Sequence, residues 1–256
     1  LLAPGVDGVM GTMDILEDLL LLETVATEDG SPSFLSGKHL IASVNRGGIA
    51  GASWELDDPP TGATARTCKK WRLDGGKFLL RIHDGDARSL RTMVHAAETV
   101  SDFAARDLPI YLEPLPVVPK EGGWAVDRSP EALCRVVGIA QALGGTGRRT
   151  WLKLPYGAPF GPVAHATTLP ILMLGGPASG SVDGFASELI HALDAGSNVR
   201  GAMVGRNVLF PGDGDPLVAA ATIGAIVHDG ATLDEAQAEG VRLANQHLAF
   251  FLPGEH

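Results

Sequence analysis

One lysine sits at the centre of an apolar, β-prone run, Thr150-Trp151-Leu152-Lys153-Leu154-Pro155. In a strand, alternate side chains share a face, so Trp151, Lys153 and Pro155 point one way and Leu152 and Leu154 the other. An ammonium turned inward among apolar neighbours is costly unless it is paired, exposed at a rim, or held neutral as a nucleophile towards a carbonyl. A structural ion pair is the commoner outcome. Glu113, in Ile110-Tyr111-Leu112-Glu113-Pro114-Leu115, can balance Lys153 or relay protons, or it can pair with Arg81 instead. Tyr156, close after the lysine, is a second candidate for proton transfer. Two glycine-bearing segments suit an anion: Gly175-Gly176-Pro177 exposes backbone N–H groups, and Gly205-Arg206-Asn207 adds a guanidinium fork that matches a phosphate. Asn45-Arg46, Arg81 and His83-Asp84 fill out a polar ring in which Asn45 and Arg81 are expected to contact substrate. His83 is more simply a solvated loop histidine.

Elements that position these groups follow from periodicity. Short β-rich runs at residues 7–11, 39–45, 77–82, 110–115, 150–155, 171–175 and 201–206 alternate with helical stretches near 13–22, 61–72, 87–107, 129–143, 162–168, 182–195 and 216–228. Repeated βα units imply a parallel sheet, and at this length they imply a single-domain α/β (β/α)₈ barrel spanning 1–256. Strand ends on the C-terminal side of such a barrel line its active site, which places the residues above together. Seven strands are one short of closure, and an open parallel barrel leaves two unpaired edges. The run at 7–11 is therefore expected to be the second barrel strand, the first strand and its helix being missing from the sequence. The Pro- and Gly-rich connection 114–127 reads as a loop or lid, and 233–251 as a closing or interface helix.

A net charge of −10 and the lack of a basic run argue against a nucleic-acid partner. No apolar run approaches the roughly 20 residues of a membrane span, and the N-terminus has no secretory signal pattern. Cys68 and Cys134 stand apart and outside any metal or redox motif, which suits reduced thiols in a cytoplasmic protein. There is no HExxH or His/carboxylate cluster for a metal, no G-x-S-x-G elbow, and no dinucleotide fingerprint, since Gly144-Gly145-Thr146-Gly147 precedes a strand rather than following one. No metal or organic cofactor is expected. The expected partner is a small phosphorylated molecule, with assembly as a homo-oligomer.

Leu152-Lys153-Leu154-Pro155-Tyr156, Leu174-Gly175-Gly176-Pro177 and Val204-Gly205-Arg206-Asn207 together resemble the class I, Schiff-base aldolases of the archaeal-type fructose-bisphosphate and deoxyribose-phosphate aldolase superfamily. Gly8-Val9-Met10-Gly11-Thr12 and Asn45-Arg46-Gly47-Gly48 are similar to an actinobacterial branch of (β/α)₈ proteins. The resemblance implies a lyase that makes or breaks a carbon–carbon bond in a phosphorylated sugar or keto acid through an imine on Lys153. It implies that Gly175, Gly176, Gly205 and Arg206 hold the substrate phosphate. The chain departs from the superfamily at Pro155, at Ala178-Ser179 after the glycine pair, and in lacking a first-strand acidic residue. Alternatives on the same barrel are a phosphosugar isomerase or epimerase with Glu113 as base, and a non-catalytic sugar-phosphate-binding barrel.

Overall fold

The computed structural model describes residues 1, 3, 5–48, 55–176 and 180–251, with side chains described through residue 246. In chain order the elements are β1 (Gly8–Gly11), α1 (Met13–Glu28), β2 (His39–Ser43), α2 (Ala65–Trp71), β3 (Gly75–Ile82) and α3 (Ala87–Ala104). These are followed by β4 (Ile110–Lys120), β5 (Gly123–Val126), α4 (Pro130–Ala140), β6 (Thr150–Leu154), α5 (Gly161–His165) and β7 (Ile171–Leu174). The last elements are α6 (Asp183–Ala195), β8 (Val199–Met203), α7 (Arg206–Leu209), α8 (Pro216–Asp229) and α9 (Leu233–Phe251).

Seven strands form one parallel sheet in the order β1-β2-β3-β4-β6-β7-β8, curled with its helices into a nearly closed barrel of the TIM type. Alternation sorts the side chains. Phe78, Leu80, Ile110, Leu112, Leu152, Leu154, Ile171 and Met173 point outward and are buried against helix residues such as Val100, Phe103, Leu133, Val137, Phe185 and Leu189. Each such side chain contributes on the order of 1.5–3 kcal/mol of transfer free energy. Local signals set the helix starts: Ser129 caps α4 by accepting from Ala132 N–H, Asp215 caps α8 by accepting from Leu217 N–H, and each is followed by proline, whose missing N–H is harmless there.

Two expectations need correction. The connection 114–127 is not an irregular loop: β4 runs on to Lys120, turns at Glu121-Gly122 and returns as β5 in an antiparallel hairpin pairing Val117 with Val126 and Lys120 with Gly123. Pro114, Pro116 and Pro119 hide that strand from a sequence reading, because proline demotes a strand pattern. The last strand lies at Val199–Met203 rather than 201–206, with a register break between Ile171 and Leu172 where it meets β7, so Gly205-Arg206 opens the one-turn α7 instead of ending a strand.

β1 and β8 lie at opposite ends of the strand order, and among the described residues no strand joins them. A cleft of about 1980 Å³ runs through the barrel interior and opens between these edges to Ile15 and Leu22 of α1 and Leu217 and Ile223 of α8. Among the described residues, no helix is long and apolar enough to cross a membrane.

Candidate active site

Adjacent inward positions of β3, β4 and β6 supply the charged centre. Register sets Lys77 beside Tyr111 and Tyr111 beside Trp151, so Glu113 and Lys153, each two residues further along, are level one layer above. Lys153 Nζ donates to Glu113 Oε2 at 3.0 Å, and Lys77 Nζ lies 3.1 Å from the same oxygen while donating to the Gly47 carbonyl at 2.9 Å. All three side chains are buried: Lys77 is 2% exposed, Glu113 6% and Lys153 8%. Burial pushes the Glu113 carboxyl up, but the two ammonium groups outweigh it and hold it below the usual carboxylate range. Burial lowers Lys77 from the ordinary lysine value, against the pull of Glu113. Two potential cations around one carboxylate leave a surplus of positive charge: burial and the neighbouring Lys153 ease loss of a proton from Lys77, and the carboxylate stays ionised between them.

Lys77 is the member of this charged centre that the sequence reading missed. A strand starting at Lys77 leaves the lysine at its N-terminal end, away from the site; the strand begins at Gly75, and Lys77 lies inside. The alternation Lys77, Leu79, Arg81 was the available signal.

Other expected site residues divide into two groups. Gly175, Gly176, Gly205 and Arg206 line the same cleft as Lys77, Glu113 and Lys153. Pro177, Ala178 and Ser179 lie outside the described residues. Asn45, Arg81 and Tyr156 are engaged elsewhere. The buried Asn45 amide donates to the Leu79 carbonyl at 2.7 Å and accepts from Leu79 N–H at 3.0 Å, extending the sheet where β2 has ended. Arg81 donates to the Glu55 carbonyl at 3.1 Å and stands 4.0 Å from Asp58; Glu113 acts on it electrostatically, but among the described residues the two make no ion pair. The Asp58 carboxylate, 1% exposed, has no hydrogen bond to either oxygen among the described residues, and burial pushes it up despite Arg81. Tyr156 follows Leu152 and Leu154 on the outer face and packs against Phe160 and His191, ring centroids 5.8 and 6.4 Å away. This is a correction to its expected place beside Lys153. His83 Nδ1 accepts from Gly85 N–H, and its ring packs on Trp124 of β5, which seats the hairpin on the rim. Among the described residues no group of three His, Cys, Asp or Glu side chains is placed to hold a metal.

A family model described as Cgl0159-like matches residues 1–225. The crystal structure of Cgl0159 from Corynebacterium glutamicum is 38% identical with a TM-score of 0.79, over 90% of this chain and 73% of that one. An archaeal fructose-1,6-bisphosphate aldolase, solved with its catalytic Lys covalently bound to the carbinolamine intermediate of the substrate, is 22% identical with a TM-score of 0.64, over 86% of this chain and 78% of that one. The fructose-bisphosphate aldolase from Slackia heliotrinireducens is 15% identical with a TM-score of 0.65, over 98% of this chain and 77% of that one. At these identities the two aldolases show a shared fold. A comparison with curated proteins finds no match.

Proposed function

Because this chain belongs to the Cgl0159-like family and has an aldolase-like barrel, we propose that it is a Schiff-base lyase cleaving or forming a carbon–carbon bond in a phosphorylated sugar or keto acid, with Lys153 as nucleophile. The observation that carries this reading is the single Glu113 oxygen shared by Lys153 and Lys77 inside the cleft. Lys153 gives a proton to Glu113, and its free amine adds to the substrate carbonyl to form a carbinolamine. Glu113 returns the proton to the carbinolamine hydroxyl, which leaves as water, and an iminium remains. Glu113, a carboxylate again, takes the β-hydroxyl proton as the carbon–carbon bond breaks, and the electron pair of that bond passes into the iminium to give an enamine and release an aldehyde. Glu113 returns that proton to the enamine carbon, and addition of water to the resulting iminium releases the ketone product and restores Lys153. Lys77 holds Glu113 from its other side and keeps the carboxylate anionic between transfers.

Gly175, Gly176, Gly205 and Arg206 bind the substrate's anionic end in this scheme, on the side of the barrel where such folds commonly place phosphate. A non-covalent isomerase is less well served. Its chemistry needs a base but no amine nucleophile, so it gives the inward Lys153 beside Glu113 no part to play. Incubation with a panel of ketose phosphates and coupled detection of the released aldehyde, with EDTA present throughout, tests the proposal. Cleavage of at least one compound is expected; isomerised or epimerised products without cleavage would reject the lyase reading.

A further inference from the structure

We propose that Arg128 is a second cation of this anion site and that it sets a preference for a doubly charged phosphate over singly charged groups. The inference rests on the substrate end assigned above. Arg128 lies between β5 and Ser129, the cap of α4, in a backbone that is held firmly: Asp127 N–H donates to the Pro116 carbonyl at 2.9 Å, and Ser129 N–H donates to Asp127 Oδ1 at 2.9 Å. The Arg128 carbonyl oxygen is 2.1 Å from the point a Cβ on Gly157 would occupy, so the segment lies against the loop that leaves β6. From there the exposed side chain crosses to β7, where Nη2 stands 3.1 Å from the Cβ position that Gly176 leaves empty. Gly176 has φ +67°, a left-handed conformation in which any side chain is strained, and a side chain there would press on the guanidinium.

The other flank of the glycine pair belongs to the turn after β8. A Cβ on Gly175 would sit 2.5 Å from Val204 Cγ2 and 3.1 Å from Asn207 Oδ1, with Arg206 between them in sequence. Gly175-Gly176 is thus held between the Arg128 side and the Arg206 side of the mouth. Neither arginine has a carboxylate within ion-pair distance among the described residues. Glu188 on α6 is near enough for Arg128 to influence it, yet it is half-buried and pushed up by that burial. Lys153 pairs in register with Leu172, and Gly176 is four residues further on, about 13 Å at ~3.3 Å per residue. The lysine side chain takes up much of that span, and a short carbon chain ending in phosphate fills the rest. One arginine fork satisfies a carboxylate; two forks provide donors and charge for a phosphate dianion.

Calorimetric titration at pH 8 with inorganic phosphate and with acetate, on wild type, Arg128→Met and Arg128→Lys, tests this without requiring turnover. Loss of a charged hydrogen-bonding group weakens binding about tenfold or more, so Arg128→Met should bind phosphate at least that much more weakly while acetate changes little. Arg128→Lys should recover part of the loss. Equal phosphate affinity in wild type and Arg128→Met, or no phosphate binding by wild type, overturns the assignment. Phosphate binding through Arg128 in a protein that cleaves no ketose phosphate would reject the lyase reading and leave this one standing.

Discussion

Lys77 and Lys153 hold the same oxygen of Glu113, at 3.1 and 3.0 Å. Glu113→Gln removes the one carboxylate between two buried amines, and breaking a buried pair in this way costs about 3–5 kcal/mol. The carboxyl's folded value lies below its unfolded value of 4.5, so its stabilisation is fully present above pH 4.5 and is lost as pH falls through the folded value. Denaturant unfolding should show wild type well above Glu113→Gln at pH 7, with the gap narrowing below pH 4.5. A gap that does not change with pH would mean that the carboxylate is not ionised in the folded protein.

Lys77→Met should fold, because Glu113 keeps Lys153 and because burial already disfavours an ammonium at Lys77. With Glu113 less firmly held, turnover should fall by the roughly 10²–10⁴-fold typical of lost acid–base catalysis. Imine formation on Lys153 should persist but slow, since Glu113 also carries the carbinolamine proton. Rapid-quench measurement of the imine beside steady-state kcat separates the two; wild-type kcat in this variant would remove Lys77 from the mechanism.

Arg206→Ala should raise KM for a phosphorylated substrate about tenfold or more and leave kcat near wild type, since the lost contact binds ground and transition states alike. Arg206 is exposed on a one-turn helix, so circular dichroism should report an intact fold. Unchanged KM would remove Arg206 from substrate binding.

The two outer strands should open first. Among the described residues β1 is half-buried along its length and pairs only with β2, whereas every residue of β3 is buried between two neighbours. Amides of β1 and β8 should exchange with deuterium much faster than those of β3 and β6. Equal protection would require a strand covering both edges.

Alternation made the barrel legible. The inward turn of Lys153 follows from strand period, whereas the choice of Lys153 over Arg81 as the partner of Glu113 needed the register of β3, β4 and β6, which sets the height of each inward residue. Period does not say where a strand begins, and a two-residue error hid Lys77. Nor does it distinguish a polar side chain that faces substrate from one that mends the backbone, and the latter is what Asn45 does with Leu79. Tyr156 was misjudged by proximity in sequence, since its position is even-numbered with Leu152 and Leu154 and therefore outward. Arg128 gave no sequence signal, for its reach to Gly176 depends on a hairpin that the prolines of β4 concealed.

The central claim is the covalent role of Lys153, and reductive trapping tests it directly. Wild type incubated with the cleaved ketose phosphate and borohydride should gain one substrate-derived mass, mapped by peptide mass spectrometry to the peptide containing Lys153. Lys153→Met should fold with Lys77 still paired to Glu113, and it should show neither adduct nor turnover. An adduct on Lys77 in wild type, or carbon–carbon cleavage surviving in Lys153→Met, would contradict the account.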